Sequence, residues 1–328
     1  MEPQPHETIW GLATAVVASR ALHLVAELGV ADRVGDDPVP VPKLAADLGV
    51  DAHALERVLL LLAAHSVFEC QESGIAHSPA SLLLRSYHPM SMTAFPEMMG
   101  MPSFTTSFAN LGRAVRTGEP AFCGVDPEGL FAYLQRHPVE AQVFDRAMTA
   151  KAAADVAAVV SSYEFSRFST VVDVGGGRGH LLRAILDSTP ATTGVLVDLP
   201  EVTASFELDA DRITLAPGDF FADSLPAADS YLLMEVIHDW ADPEAVAILR
   251  AVRRAAPAQA RVLIIENVIV NRGIDRRAHT LDIIMLAITG GRERTASELD
   301  ELLIAAGFAN TTVIDTPGPL RIVEAVAP

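Results

Sequence analysis

The spacing of apolar and polar residues divides the chain into two textures. Up to about residue 162 apolar positions recur at helical spacing, and beyond it short β-branched runs alternate with helical stretches. Residues 9–28 are apolar nearly all round, interrupted by Arg20, His23 and Glu27. Those interruptions argue against a membrane span. A helix with so little polar surface needs cover on several sides, and a second subunit is the economical source. Residues 42–49 predict a short helix stopped at Gly49, and Asp51 caps another that runs through Leu55, Leu59 and Leu62. A hairpin is expected at 67–70 and 74–77. The Met- and Phe-rich stretch 90–108 suits a gap-filling core or an adaptable lid over an aromatic ligand. Helical spacing resumes over 138–162.

After residue 169 the pattern predicts strands at 170–174, 194–198, 212–216, 231–236, 261–268, 311–314 and 322–326. Strands alternating with helices in this way specify an α/β fold, a mostly parallel, doubly wound Rossmann-like sheet with ligands at the carboxyl ends of its strands. A chain of 328 residues is expected to form two domains. The boundary is placed between 1–98, a helical winged-helix-like domain, and 99–328, the α/β domain with a helical segment covering the substrate.

Charge narrows the partners. The formal net charge is −18, with 42 acidic against 24 basic residues, which is the wrong sign for nucleic acid or an anionic membrane surface. Helix, turn, helix and wing is a DNA-binding order, yet its bases Lys43 and Arg57 are outnumbered by Asp47, Asp51, Glu56 and Glu69. The module is therefore read as a packing scaffold. Two distant cysteines, Cys70 and Cys123, and an acidic start without a signal-peptide pattern point to free thiols in the cytoplasm.

The most informative stretch is the turn after the strand at 170–174. Gly175, Gly176, Gly177 and Gly179 join that strand to a helix, which lets backbone approach a ligand beside a helix N-terminus. The sixth position counted from Gly175 is His180, so the dinucleotide fingerprint fails. Asp173, two residues before Gly175, suits a cationic ammonium better than a pyrophosphate. Asp198 ends the next strand, where ribose hydroxyls are gripped in nucleoside-binding sheets. Asp219 and Phe220 follow the third strand and could meet an adenine amino group and ring. Three stations at successive strand ends point to S-adenosylmethionine.

His238 follows the fourth strand, next to Asp239. Glu266 ends the fifth strand, and Glu293 precedes a helix capped near Thr295. A histidine among carboxylates is a general base held in one tautomer. The methyl of a sulfonium is already electrophilic, so the protein has to supply a better nucleophile, and a phenol with pKa near ~10 benefits from a base. No His/Cys cluster or close pair of acids has metal-ligand spacing, and no metal is expected.

The stretches VVDVGGGRG, LVDLP, GDFF, HDWADPE, IIEN, DIIMLA and GGRERT closely resemble the large cation-independent small-molecule O-methyltransferases, which include plant caffeic-acid-type and bacterial natural-product tailoring enzymes. The resemblance covers most of the chain. It implies a winged-helix-like dimerisation domain and a homodimer. It implies cofactor contacts at Gly175, Gly177, Asp198, Asp219 and Phe220, with S-adenosylhomocysteine as product. His238 would be the base, flanked by Glu266 and Glu293, and Phe144, Met148, Asp239 and Met285 would line a pocket for a small aromatic acceptor. Met234 stands where many relatives carry a lysine near the adenine. Some relatives turn the bound cofactor to hydroxylation, decarboxylation or pericyclic chemistry; His238, Glu266 and Glu293 favour methyl transfer.

Overall fold

The computed structural model describes residues 4–204, 212–270 and 275–328, without the side chains of Ala153 and Ala154. Contacts divide the chain into two compact units, residues 1–105 with 138–151, and residues 106–137 with 152–328.

The first unit begins with α1 (Pro5–Glu27), followed by α2 (Val41–Leu48) and α3 (Ala52–Ala64). Gly49 closes α2 in the left-handed region, at φ 70°, and the Asp51 side chain accepts from the Ala54 amide at 2.8 Å to start α3. The hairpin β1 (Phe68–Gln71) and β2 (Gly74–His77) completes the wing. Val25, Leu44, Leu59, Phe68 and Ile75 form its core. The outer part of α1 is uncovered in the single chain: Ile9, Trp10, Leu12, Val16 and Val17 are each more than half exposed. By length and composition alone α1 is apolar enough to cross a membrane, a property that core helices share. Met98, Met101 and Phe104 are buried, which favours the core reading of the Met-rich stretch.

The second unit is built on β3 (Thr170–Val174), β4 (Thr193–Asp198), β5 (Ile213–Pro217), β6 (Ser230–Met234), β7 (Arg261–Glu266), the short β8 (Val268–Ile269) and β9 (Arg294–Thr295), then β10 (Ala309–Asp315) and β11 (Arg321–Val326). Seven of them form one sheet in the order β10-β11-β7-β6-β3-β4-β5. From β7 to β5 neighbouring strands run parallel, while β11 and β10 close the sheet antiparallel. β8 pairs β9 separately, in parallel.

Alternation along the strands feeds two apolar layers. Val172, Val174, Tyr231 and Leu233 pack on one face with Ile248, Leu249 and Leu303; Val171, Leu232 and Leu263 pack on the other with Leu182 and Ile185. From β3 the chain winds outward through β4 to β5, then returns to lay β6 on the other side of β3. The β3–β6 boundary is thus the switch point of the sheet, where loops diverge and leave a crevice at the strands' carboxyl ends. The glycine turn and His238 leave the sheet on either side of it.

Candidate active site

Backbone bonds tie the glycine turn to its neighbours. Gly175 and Gly177 have positive φ, 68° and 56°. The Gly175 amide donates to the Val197 carbonyl at 2.8 Å, and the Gly177 amide to Asp198 Oδ2 at 2.7 Å. The Gly218 amide then donates to the Asp198 carbonyl at 3.0 Å. Asp219 Oδ1 accepts from the Phe221 amide at 2.8 Å, and the Phe220 ring would lie 3.8 Å from a Cβ at Gly175. The ends of β3, β4 and β5 therefore make one continuous edge carrying Gly175, Gly177, Asp198, Asp219 and Phe220.

Asp173 lies on the buried central strand, paired with Leu196 on one side and Leu232 on the other. Its side chain is 1 % exposed, and neither carboxylate oxygen has a hydrogen-bond partner among the described residues. Burial pushes its carboxyl up to about 7, reinforced by the charge of Asp198; the Leu182 amide offsets part of this without completing a bond. A Cβ at Gly176 would fall 2.5 Å from the Asp173 carboxyl carbon, so glycine is what lets the turn fold over it. An orphaned buried carboxylate is costly and calls for a cation.

Across the switch point, β6 ends at Met234 and Glu235 turns the chain in the left-handed region, at φ 53°. A short 3-10 turn, Ile237–Asp239, then presents His238. Glu293 Oε1 sits 2.9 Å from His238 Nδ1, Glu266 Oε1 accepts from the His238 amide at 2.9 Å, and Asp239 Oδ1 is 3.9 Å from Nε2. His238, Glu266 and Glu293 are all buried. Burial opposes a charge on the imidazole. The hydrogen bond to Glu293 and the charges of Asp239, Glu266 and Glu293 outweigh it and raise His238 to about 9. Burial likewise pushes Glu266 up to about 7. The contact with Glu293 occupies Nδ1, and Nε2 lies beyond hydrogen-bonding distance of Asp239.

Of the residues expected to line an acceptor pocket, Asp239 and Met285 lie in this second unit, Met285 buried on helix Arg276–Ile288. Phe144 and Met148 lie half-buried on helix Pro138–Ser162, in the part that belongs to the first unit. Met234 ends β6 half-buried. Trp240 was not singled out from sequence. It stacks on Phe131 and meets Phe220 and Phe221 edge-on, linking the His238 turn to the β5 edge. Nor was Asp282, whose Oδ1 accepts the Glu293 amide at 3.0 Å. Gly291 was passed over as well: a Cβ there would lie 1.9 Å from the His238 carbonyl oxygen. The run of glycines before Glu293 was the available signal for so close a contact. Among the described residues no group of three or more His, Cys, Asp or Glu could hold a metal ion.

The O-methyltransferase domain family matches residues 108–309, and the O-methyltransferase dimerisation domain family matches residues 10–86. The chain is 39 % identical over 321 residues to phenazine O-methyltransferase PhzM of Lysobacter antibioticus, covering 96 % of this chain and 94 % of that protein. It is 37 % identical over 300 residues to 8-amino-8-demethylriboflavin N,N-dimethyltransferase of Streptomyces davaonensis, covering 88 % and 85 %. Among solved structures it resembles the O-methyltransferase NcsB1 from neocarzinostatin biosynthesis, in complex with S-adenosylmethionine and 2-hydroxy-5-methyl naphthoic acid. There the TM-score is 0.80 at 30 % identity, over 94 % of this chain and 96 % of that one.

Proposed function

The chain belongs to the O-methyltransferase family, and from that premise we propose that it methylates a phenolic hydroxyl of an aromatic natural product, with His238 as general base. It is an S-adenosylmethionine-dependent O-methyltransferase. The observation that carries the finer reading is the 2.9 Å contact between Glu293 Oε1 and His238 Nδ1, buried one strand away from the glycine turn.

The cofactor supplies an electrophilic methyl group on sulfur. Asp173 would hold its ammonium, Asp198 its ribose hydroxyls, and Asp219 with Phe220 its adenine. Glu293 fixes the tautomer of His238 and steadies the imidazolium that forms when Nε2 accepts the phenol proton. Against the effect of burial, Glu293, Asp239 and Glu266 raise the basicity of the imidazole, which favours proton transfer from a phenol near ~10 once Nε2 is unprotonated. Glu266 holds the histidine backbone, and Asp239 and Met285 would contact the acceptor. Residues 1–98 would form the dimerising part and 99–328 the transferase part. A second copy would cover the exposed face of α1, where Ile9, Trp10, Leu12, Val16 and Val17 are clustered; a monomer by light scattering at micromolar concentration would remove the dimer.

The test is His238→Ala against a panel of hydroxyphenazines and hydroxynaphthoates, following S-adenosylhomocysteine release. Turnover is expected to fall ~100- to 10,000-fold with S-adenosylhomocysteine affinity retained. Unchanged turnover would dismiss His238 as base. An amine accepted in place of every phenol would redirect the acceptor to nitrogen, as the name of the riboflavin-derivative relative describes for that enzyme.

A further inference from the structure

Arg294 is one of the largest fully buried side chains of the protein, 1 % exposed, and it touches none of the groups proposed to react. Its guanidinium is spent on the turn that carries His238. Nη1 donates to the Ile237 carbonyl at 3.1 Å and Nη2 to the Trp240 carbonyl at 2.7 Å. Nε and Nη2 both reach Asp242 Oδ1, at 3.0 and 2.7 Å. The acceptors bracket His238 on both sides, and the His238 carbonyl itself takes the Arg292 amide at 2.8 Å. Next to Arg294 in the chain is Glu293, which holds His238 Nδ1. The Arg294 backbone pairs in register with Val268, two residues beyond Glu266.

We propose that Arg294 is the positioning residue of this centre, fastening the His238 turn, the Glu293 segment and the Glu266 strand into one frame. The fastening works by three routes. The side chain grips the turn, the adjoining peptide carries Glu293, and the β8–β9 pairing anchors the strand that bears Glu266. A planar fork with five donors can reach two carbonyls and a carboxylate together; a lysine ammonium on a flexible stem cannot. The guanidinium also places a cation beside Glu266 in a buried cluster rich in acids. A loosened turn would let the imidazole drift, and a displacement of about 1 Å far from the chemistry is enough to cost ~100-fold in rate.

The inference rests on His238 acting as base, so the experiment keeps the two apart. Arg294→Lys preserves the charge and loses the fork. Asp242→Ala slackens the clamp from its half-exposed end, so it remains informative if the buried substitution fails to fold. For Arg294→Lys, kcat is expected to drop ~10- to 100-fold, with KM for S-adenosylmethionine and the S-adenosylhomocysteine affinity within about twofold. Asp242→Ala is expected to show a smaller loss of the same kind. Long-range proton–nitrogen spectra, with His238 assigned by difference against His238→Gln, should show one fixed tautomer in the parent and exchange broadening in both variants. Parental kcat and a fixed tautomer in both variants would overturn the proposal, as would a loss of kcat in step with cofactor affinity. His238→Ala is run beside them: if it turns over normally, the base reading fails, and the tautomer signal alone decides the role of Arg294.

Discussion

Two buried acidic centres sit on adjacent strands of the same sheet edge, and the chain holds them to different degrees. At the end of β6, His238 takes up one oxygen of each acid, Glu266 Oε1 by its amide and Glu293 Oε1 at Nδ1, both at 2.9 Å, while Glu266 Oε2 and Glu293 Oε2 have no hydrogen-bond partner among the described residues. At β3, Asp173 is as deeply buried yet has no hydrogen-bond partner among the described residues. The first centre is held in part by the chain itself, whereas in the second neither oxygen is bonded, as suits the proposed cationic ligand. A group meant to act on a proton needs its geometry fixed beforehand. A group meant to bind a charged ligand can carry its desolvation cost until the ligand relieves it.

The comparison breaks most sharply at Asp173. Replacing it by asparagine should weaken S-adenosylhomocysteine binding about 100-fold, the scale of a lost charge-assisted hydrogen bond, measurable by calorimetry. The same change should stabilise the cofactor-free protein at pH 8. A carboxyl moved from 3.8 to about 7 stores up to about 4 kcal/mol there, less whatever the buried amide costs. Affinity and stability moving in opposite directions is the signature sought. If the cofactor-free variant melts lower than the parent, Asp173 is not a burden in the way argued.

A smaller effect sharpens the contrast through pH. Asp173 and Glu266 are raised to about 7 and His238 to about 9. All three hold their protons more tightly folded than unfolded. Their contribution to stability is therefore present at low pH. It is lost as pH rises, through about 7 for the acids and about 9 for the histidine. Thermal melts without cofactor are expected to decline by several degrees between pH 5.5 and 9. Saturating S-adenosylmethionine should flatten the part due to Asp173 and leave the part due to His238 and Glu266. A melting temperature that rises over this range would contradict the assignment.

Much of this architecture was legible in advance, for reasons that can be named. Six of the seven strands of the main sheet carry β-branched residues and β6 is a short apolar run, and Asp51 and Thr295 cap helices as their short polar side chains predict. Gly175, Asp198 and His238 could be located because each follows a strand, and strand ends in such a sheet converge. Arg294 could not be weighed this way. Its partners Ile237, Trp240 and Asp242 lie more than fifty residues earlier, and an arginine among charged neighbours reads as surface. The same holds for Trp240, whose role depends on Phe131 and Phe221, far apart in sequence. The outer face of α1 taught a different lesson: apolar periodicity told that it must be covered, but the single chain leaves it exposed.

The contact at Gly291 has a consequence for how this enzyme can change. With the His238 carbonyl 1.9 Å from where any side chain would begin, position 291 offers natural variation and a mutational library no alternative to glycine that leaves the neighbouring turn in place. The acid–histidine block behind it behaves as a sealed component, inherited whole or lost whole. New acceptors have to be won outside this interlock. Retooling the enzyme is a matter of rewriting its grip on the acceptor while the proton-handling parts stay as they are.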